Sequence, residues 1–243
     1  MGDKVIWTDT DWQGSAGSVA FHGGLPLRLS NGMPEAVYPN ARGLDVALKR
    51  AMDVVVSICA IAALMPLFVL VAAAIKLTSP GPILFRQSRE GLNGTPFLIY
   101  KFRSLATNSQ DRTGTAQTRP GDPRVTRIGR FIRRTSIDEL PQLLNVLLGD
   151  MALVGPRPHV FNMFAGGMKY TQLVPYYGMR LQMRPGLTGW AQANGLRGST
   201  GDAAVARARI DHDIAYVQNF TILLDLRILV KTLVGEFLSG SGE

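Results

Sequence analysis

The sequence predicts a mainly α-helical, membrane-associated domain with one small β-hairpin. Three observations carry that prediction. Val54 to Ile75 is a run of 22 residues without a charge, long enough to cross a bilayer as a helix. Two short β-prone runs follow, joined by Glu90-Gly91-Leu92-Asn93-Gly94. Several later segments show apolar residues at helical spacing, interleaved with arginine.

Composition narrows the field further. The chain has 243 residues, enough for one sizeable domain, and a formal net charge of +8. Residues 1–48 hold three basic and five acidic side chains, a net of −2, so the remainder carries +10. A basic body suits anionic lipid, a phosphorylated substrate or nucleic acid. The single cysteine, Cys59, excludes an intramolecular disulfide framework. Three scattered histidines give no zinc-ligand spacing.

Residues 1–43 are rich in Gly, Ser, Asp, Asn and Pro and read as a disordered N-terminal tail. They lack the basic start and apolar core of a signal peptide. The remainder, 44–243, reads as one domain, with 44–78 as its membrane helix. Pro66 sits in the middle of the apolar run, where it removes a backbone bond and bends a helix. Lys49 and Arg50 precede the run; Lys76, Arg86 and Arg89 follow it. A spanning helix wants its basic excess on one side only. Two readings stay open at this point: a kinked span, or a re-entrant helix that bends at Pro66 and returns to the same face.

Ser79-Pro80-Gly81-Pro82 breaks the helix. Residues 83–87 and 97–102 read as the strands of the hairpin, and 105–123 as a polar loop. Val125 to Arg134 is a basic amphipathic helix, with Val125, Ile128, Phe131 and Ile132 on one face. A short apolar helix runs from about Leu140 to Leu148 and stops at Gly149. Further helices are expected at about 202–219 and 221–237. The last is interrupted by Asp225, Arg227 and Lys231, too charged to span and suited to the membrane interface.

The stretch from Arg133 to Gln142 organises the rest. It sets the adjacent carboxylates Asp138 and Glu139 at the start of a helix, just after two arginines. A helix start offers free N–H groups and a positive dipole end to anions. The same spacing also permits simple capping: Ser136-x-x-Glu139 fits a capping box, and Asp138 could itself be the N-cap. Arg103, Arg133, Arg157 and Arg184 each lie beside a turn, a proline or a helix start, where a planar guanidinium can grip phosphate at two points.

An ordered series of motifs then becomes visible. It runs Lys49-Arg50-x-x-Asp53, the apolar run with its proline, Gly81-Pro82-x-x-Phe85-x-Gln87-x-Arg89-x-Gly91, Lys101-Phe102-Arg103-Ser104 and Asp122-Pro123-Arg124-Val125-Thr126. Thr135 to Leu143, Gly149-Asp150-Met151, Val154-Gly155-Pro156-Arg157-Pro158 and Arg184-Pro185-Gly186-Leu187-Thr188-Gly189 complete it. From about residue 44 onward the chain closely resembles the bacterial sugar transferases, the monotopic phosphoglycosyl transferases that act on polyprenyl phosphate.

That resemblance implies a re-entrant helix bent at Pro66 and an active site on the cytoplasmic face of the bacterial inner membrane. It implies transfer of a sugar 1-phosphate from a nucleoside diphosphate sugar, of UDP-sugar type, to polyprenyl phosphate, as the initiating step of exopolysaccharide or other surface glycan synthesis. Asp138 would be the nucleophile, and Glu139 the ligand of the cofactor Mg2+. Substrate binding would fall to Lys101, Arg103, Arg133, Gly155, Pro156, Arg157, Pro158 and Arg184. The partners are the two substrates and the lipid bilayer, with a homodimer compatible and nucleic acid not expected. One departure is Met65, where some family members place Ser before the bend proline; Met cannot bond a carbonyl freed at the kink.

Overall fold

The apolar run forms one helix, α1 (Gly43–Thr78), which takes in Pro66 without interruption. The computed structural model describes residues 19–35, 43–106, 121–198 and 200–239. The 36 residues of α1 extend roughly 54 Å at 1.5 Å each, against about 30 Å of bilayer hydrocarbon. Among the described residues, α1 alone is long and apolar enough to cross a membrane. One face of it lies along the body: Lys49, Asp53, Ser57, Val71 and Ile75 are buried, and Ala60, Ile61, Leu64 and Phe68 pack between them. Steps of three and four place these on a single stripe. Val55, Ile58, Met65, Val69 and Leu70 are exposed elsewhere around the helix.

Next come β4 (Leu84–Glu90) and β5 (Pro96–Phe102), paired antiparallel from Leu84–Phe102 to Glu90–Pro96. A 3-10 turn, Leu92–Gly94, joins them, with Asn93 at φ +54°. The expected hairpin is present, longer at its first strand. Thr126 caps α2 (Arg127–Arg134) by accepting from the Gly129 N–H at 2.9 Å. Ile128 and Ile132 turn α2 towards Val71 and Ile75 of α1. Of the expected polar loop, residues 107–120 lie outside the described residues.

The helix expected from Leu140 begins later, as α3 (Gln142–Leu148) with Pro141 at its N-cap and Gly149 closing it in the left-handed region. The strand β6 (Ala152–Val154) follows. After the short pair β7 (Phe164–Ala165) and β8 (Met168–Lys169) come α4 (Tyr170–Leu173), a 3-10 segment Tyr177–Gln182 and β9 (Gly186–Thr188). β9 runs parallel to β6. The approach is very close: a Cβ at Gly155 would lie 2.4 Å from the Arg184 carbonyl oxygen, and one at Gly189 would lie 2.3 Å from the Gly155 oxygen. Only glycine allows the two turns to cross there.

α5 (Trp190–Ala193), α6 (Ala203–Asn219) and α7 (Ile222–Ser239) complete the body, the last two close to their expected positions. Asp202 caps α6. α7 differs from expectation in one respect: Asp225 is fully buried and pairs with Lys49, while Leu223, Leu226, Val230, Leu233 and Val234 are exposed. Its outward stripe is therefore more apolar than the sequence suggested.

The disordered-tail expectation fails for residues 19–34. They form an antiparallel meander, β1 (Val19–His22), β2 (Leu25–Ser30) and β3 (Met33–Pro34). Leu27 and Leu29 join the core beside Ile210 and Ile214 of α6. Gln218 donates to the Arg28 and Glu35 carbonyls, and the Trp190 indole donates to the His22 carbonyl at 2.8 Å. Residues 1–18 and 36–42 of that expected tail lie outside the described residues.

Candidate active site

Asp138 and Glu139 sit in a separate 3-10 turn, Ile137–Glu139, wedged between α2 and α3. Neither capping reading survives. Ser136 adopts a left-handed φ of +54°, and its side chain makes no capping bond. Glu139 turns away from Ser136 to the hairpin and the Gly155–Pro158 turn. Its Oε1 accepts from Lys101 Nζ at 2.6 Å and from Arg157 Nη2 at 2.8 Å. A left-handed serine is uncommon and costs conformational energy; such strain collects where side chains must be aimed.

Asp138 is only 7% exposed. Burial pushes its carboxyl up to about 6; Lys101 pulls against that, and Glu139 adds to it. Asp138 is thus charged at neutral pH and protonated in mild acid. For Glu139, burial favours the protonated acid, but Arg157 and Lys101 overcome it and hold the carboxyl well below its ordinary range. Two neighbouring carboxylates therefore titrate far apart, a pattern that accompanies divided chemical roles.

The structure brings together five of the residues anticipated from sequence. Lys101 and Arg157 both ion-pair with Glu139, and together with Arg133 they act on the neighbouring Asp138 through their charge. Pro158 lines the small cleft beside Glu139. The others have structural occupations. Arg103, 1% exposed, donates to the Ser79 carbonyl and hydroxyl at 2.8 Å and to the Pro80 carbonyl, closing the end of α1. Arg184 donates to the Gly149 carbonyl at 2.8 Å. Gly155 and Pro156 form the crossing with β9, Gly155 donating to Thr188 and Pro156 accepting from Gly186.

Sequence reasoning passed over Arg89 and Gln142, which line the same cleft with Ile99, Lys101 and Glu139. Arg89 donates to the Pro158 carbonyl and to Gln87, and its buried Nε has no hydrogen-bond partner. Burial lowers its pKa to about 10, with Arg157 adding to the fall. The signal was there: hairpin register pairs Gln87 with Ile99 and Arg89 with Phe97, so Gln87, Arg89, Ile99 and Lys101 share one face.

Among the described residues no three His, Cys, Asp or Glu side chains cluster as a metal site. Magnesium, however, is commonly held by one or two carboxylates with substrate phosphates and water. Asp138 and Glu139 fit that donor set. A second feature lies close by: Pro141, Leu144 of α3, Phe68 and Val69 of α1 and Leu84 of β4 line an apolar groove.

A buried carboxylate beside a second one clamped by Lys and Arg, on a body carrying a long apolar helix, defines a membrane-associated site for anionic substrates. The chain belongs to the bacterial sugar transferase family, whose model matches residues 44–239. It is 54% identical to the exopolysaccharide production protein PSS of Rhizobium leguminosarum bv. phaseoli, over 82% of this chain and all of that protein. It is 51% identical to a UDP-glucose:undecaprenyl-phosphate glucose-1-phosphate transferase of Caulobacter vibrioides, over 76% of this chain and 68% of the relative. The transferase of the same description from Escherichia coli is 42% identical, over 81% of this chain but 42% of the relative's length.

Proposed function

We propose that the protein transfers a hexose 1-phosphate from a UDP-sugar to a polyprenyl phosphate, with an aspartyl-phosphosugar intermediate on Asp138. The observation that carries this reading is the arrangement of Asp138 and Glu139 among Lys101, Arg133, Arg157 and Arg89, in a chain similar to glucose-1-phosphate transferases over 76% to 81% of its length.

A carboxylate oxygen of Asp138 attacks the sugar-bearing phosphorus. The bond from that phosphorus to the bridging oxygen breaks, and the nucleoside monophosphate leaves with the electron pair. A phosphate oxygen of the polyprenyl acceptor then attacks the same phosphorus and releases Asp138 as carboxylate. Lys101, Arg157 and Arg89 bind the phosphates and offset charge repulsion between nucleophile and donor. Arg133 favours the ionised form of Asp138. Asp138 and Glu139 would hold magnesium, which supplies further neutralisation of the diphosphate when bound.

The membrane arrangement is proposed on similar grounds. α1 is fastened to one body near both ends. Lys49 bonds Val154 and Asp225 and Asp53 accepts from Leu153 at the first end, while Arg103 holds Ser79 and Pro80 at the other. That supports a re-entrant helix bent at Pro66, with both flanks on the cytoplasmic face of the inner membrane. Exposed apolar stripes on α1 and α7 support contact with the bilayer.

The test is a panel of nucleotide sugars with polyprenyl phosphate and magnesium, scored for nucleoside monophosphate. A sugar-labelled donor without acceptor should leave label on wild-type protein and none on Asp138→Asn. Turnover by Asp138→Asn at the wild-type rate would remove the covalent route.

A further inference from the structure

The side chain of Arg157 is 47% exposed, yet the backbone that presents it is held at every residue. The Pro156 carbonyl accepts from Gly186, and the Pro158 carbonyl accepts from Arg89. The His159 carbonyl accepts from the Glu90 N–H, and the Arg157 carbonyl accepts from Arg180. That last bond comes from one of the most deeply buried charges in the molecule. Arg180, 1% exposed, ion-pairs with Asp213 of α6, its Nε and Nη2 lying 2.9 and 2.8 Å from Asp213 Oδ2.

The guanidinium also stacks over Tyr177, whose hydroxyl donates to Glu90 and lies 3.1 Å from His159 Nδ1. A buried ion pair is a poor means of gaining stability, because desolvation offsets most of the attraction. Its geometric effect is more telling: a planar fork satisfied by Asp213 on one side fixes the direction of the remaining N–H towards the Arg157 carbonyl. We infer that Arg180, oriented by Asp213, is a positioning residue that sets the Arg157 turn so that the Arg157 guanidinium meets phosphate. The inference rests on the phosphoryl-transfer reading of the site, in which Arg157 touches substrate.

A double-mutant cycle tests it. Arg180→Lys keeps the charge but loses the fork, and should lower kcat/KM for the nucleotide sugar roughly tenfold to a hundredfold, as misplacement of a binding group does. In an Arg157→Ala background the same substitution should change kcat/KM less than about twofold, because the residue it acts through is gone. Equal losses in both backgrounds would overturn the inference and leave Arg180 a purely structural residue. Asp213→Asn, run in parallel with thermal unfolding, guards against a variant that fails to fold.

A readout independent of turnover is a nitroxide at position 157, introduced as Arg157→Cys with Cys59→Ala. Its mobility should rise on adding Arg180→Lys, and an unchanged spectrum would count against the inference. An inactive wild type with a label that responds would instead sink the transferase reading alone.

Discussion

Glu139 and Arg157 form a two-point ion pair, Nη2 to Oε1 at 2.8 Å and Nη1 to Oε2 at 3.4 Å. With Lys101 on the same Oε1, the carboxylate occupies the cationic cradle that an incoming phosphate needs. On the proposed reading, donor binding parts Glu139 from its cations and frees it for magnesium. Glu139→Gln should lose turnover by at least about a hundredfold while binding UDP without magnesium about threefold to tenfold more tightly, a weak ion pair no longer competing. Calorimetry with and without magnesium checks both halves. Weaker metal-free binding in the variant would mean that Glu139 does not compete.

As the proposed nucleophile, Asp138 should set the acid side of the activity profile. With its carboxyl at about 6, kcat/KM for the donor should fall as pH drops below about 6, because the protonated acid is a poor nucleophile. Stability follows the opposite sense. The folded value lies above the ordinary 3.8, so the contribution of Asp138 is complete below about pH 4 and lost as pH rises through 6. Asp138→Asn should remove that part of the pH dependence in denaturant melts. An activity profile flat between pH 5 and 7 would contradict the buried acid.

Arg103 should behave as a fold residue. Arg103→Lys cannot reach the Ser79 and Pro80 carbonyls together and should destabilise the protein by about 3 kcal/mol. The fraction that folds should keep the wild-type KM for the donor. A raised KM at unchanged stability would return Arg103 to the phosphates.

Both flanks of α1 should be found on one side of the membrane. In a Cys59→Ala background, Glu35→Cys and Asn93→Cys should both resist an impermeant thiol reagent in intact cells and both react after lysis. Labelling of a single site in intact cells would establish a span.

The legible elements were those whose local chemistry agrees with their packing. The hairpin announced itself by β-prone runs around Asn93-Gly94, and α6 was expected at about 202–219, where the structure places it with Asp202 as its cap. The β1–β3 meander was hidden because its strands are short and lie among Gly, Asn and Pro, and their order comes from partners about 190 residues away, such as Gln218 and Asn219. The carboxylate pair was legible as an anomaly, but its 3-10 geometry was not. Ser136 satisfies every sequence criterion for a capping box, and only the left-handed turn shows that the helix starts six residues later, at Gln142. The arginines divide for a similar reason. Arg103, Arg157 and Arg184 share the same local context, a turn or a proline, and only tertiary packing sends Arg157 to Glu139 while Arg103 and Arg184 close backbone ends.

The glycine crossing between the Gly155–Pro158 turn and the Arg184–Gly189 turn has a consequence for how this chain can vary. With Cβ positions at 2.1 to 2.4 Å from facing backbone atoms, neither turn can shift alone, and none of Gly155, Gly186 and Gly189 can acquire a side chain. The two stretches, some thirty residues apart, are one inheritance unit. A chimera that takes one turn from a distant relative and keeps the other should misassemble, whereas exchanging both together should be tolerated. Saturation mutagenesis should show the same thing as two separate intolerant windows, at Gly155 and at Gly186 and Gly189.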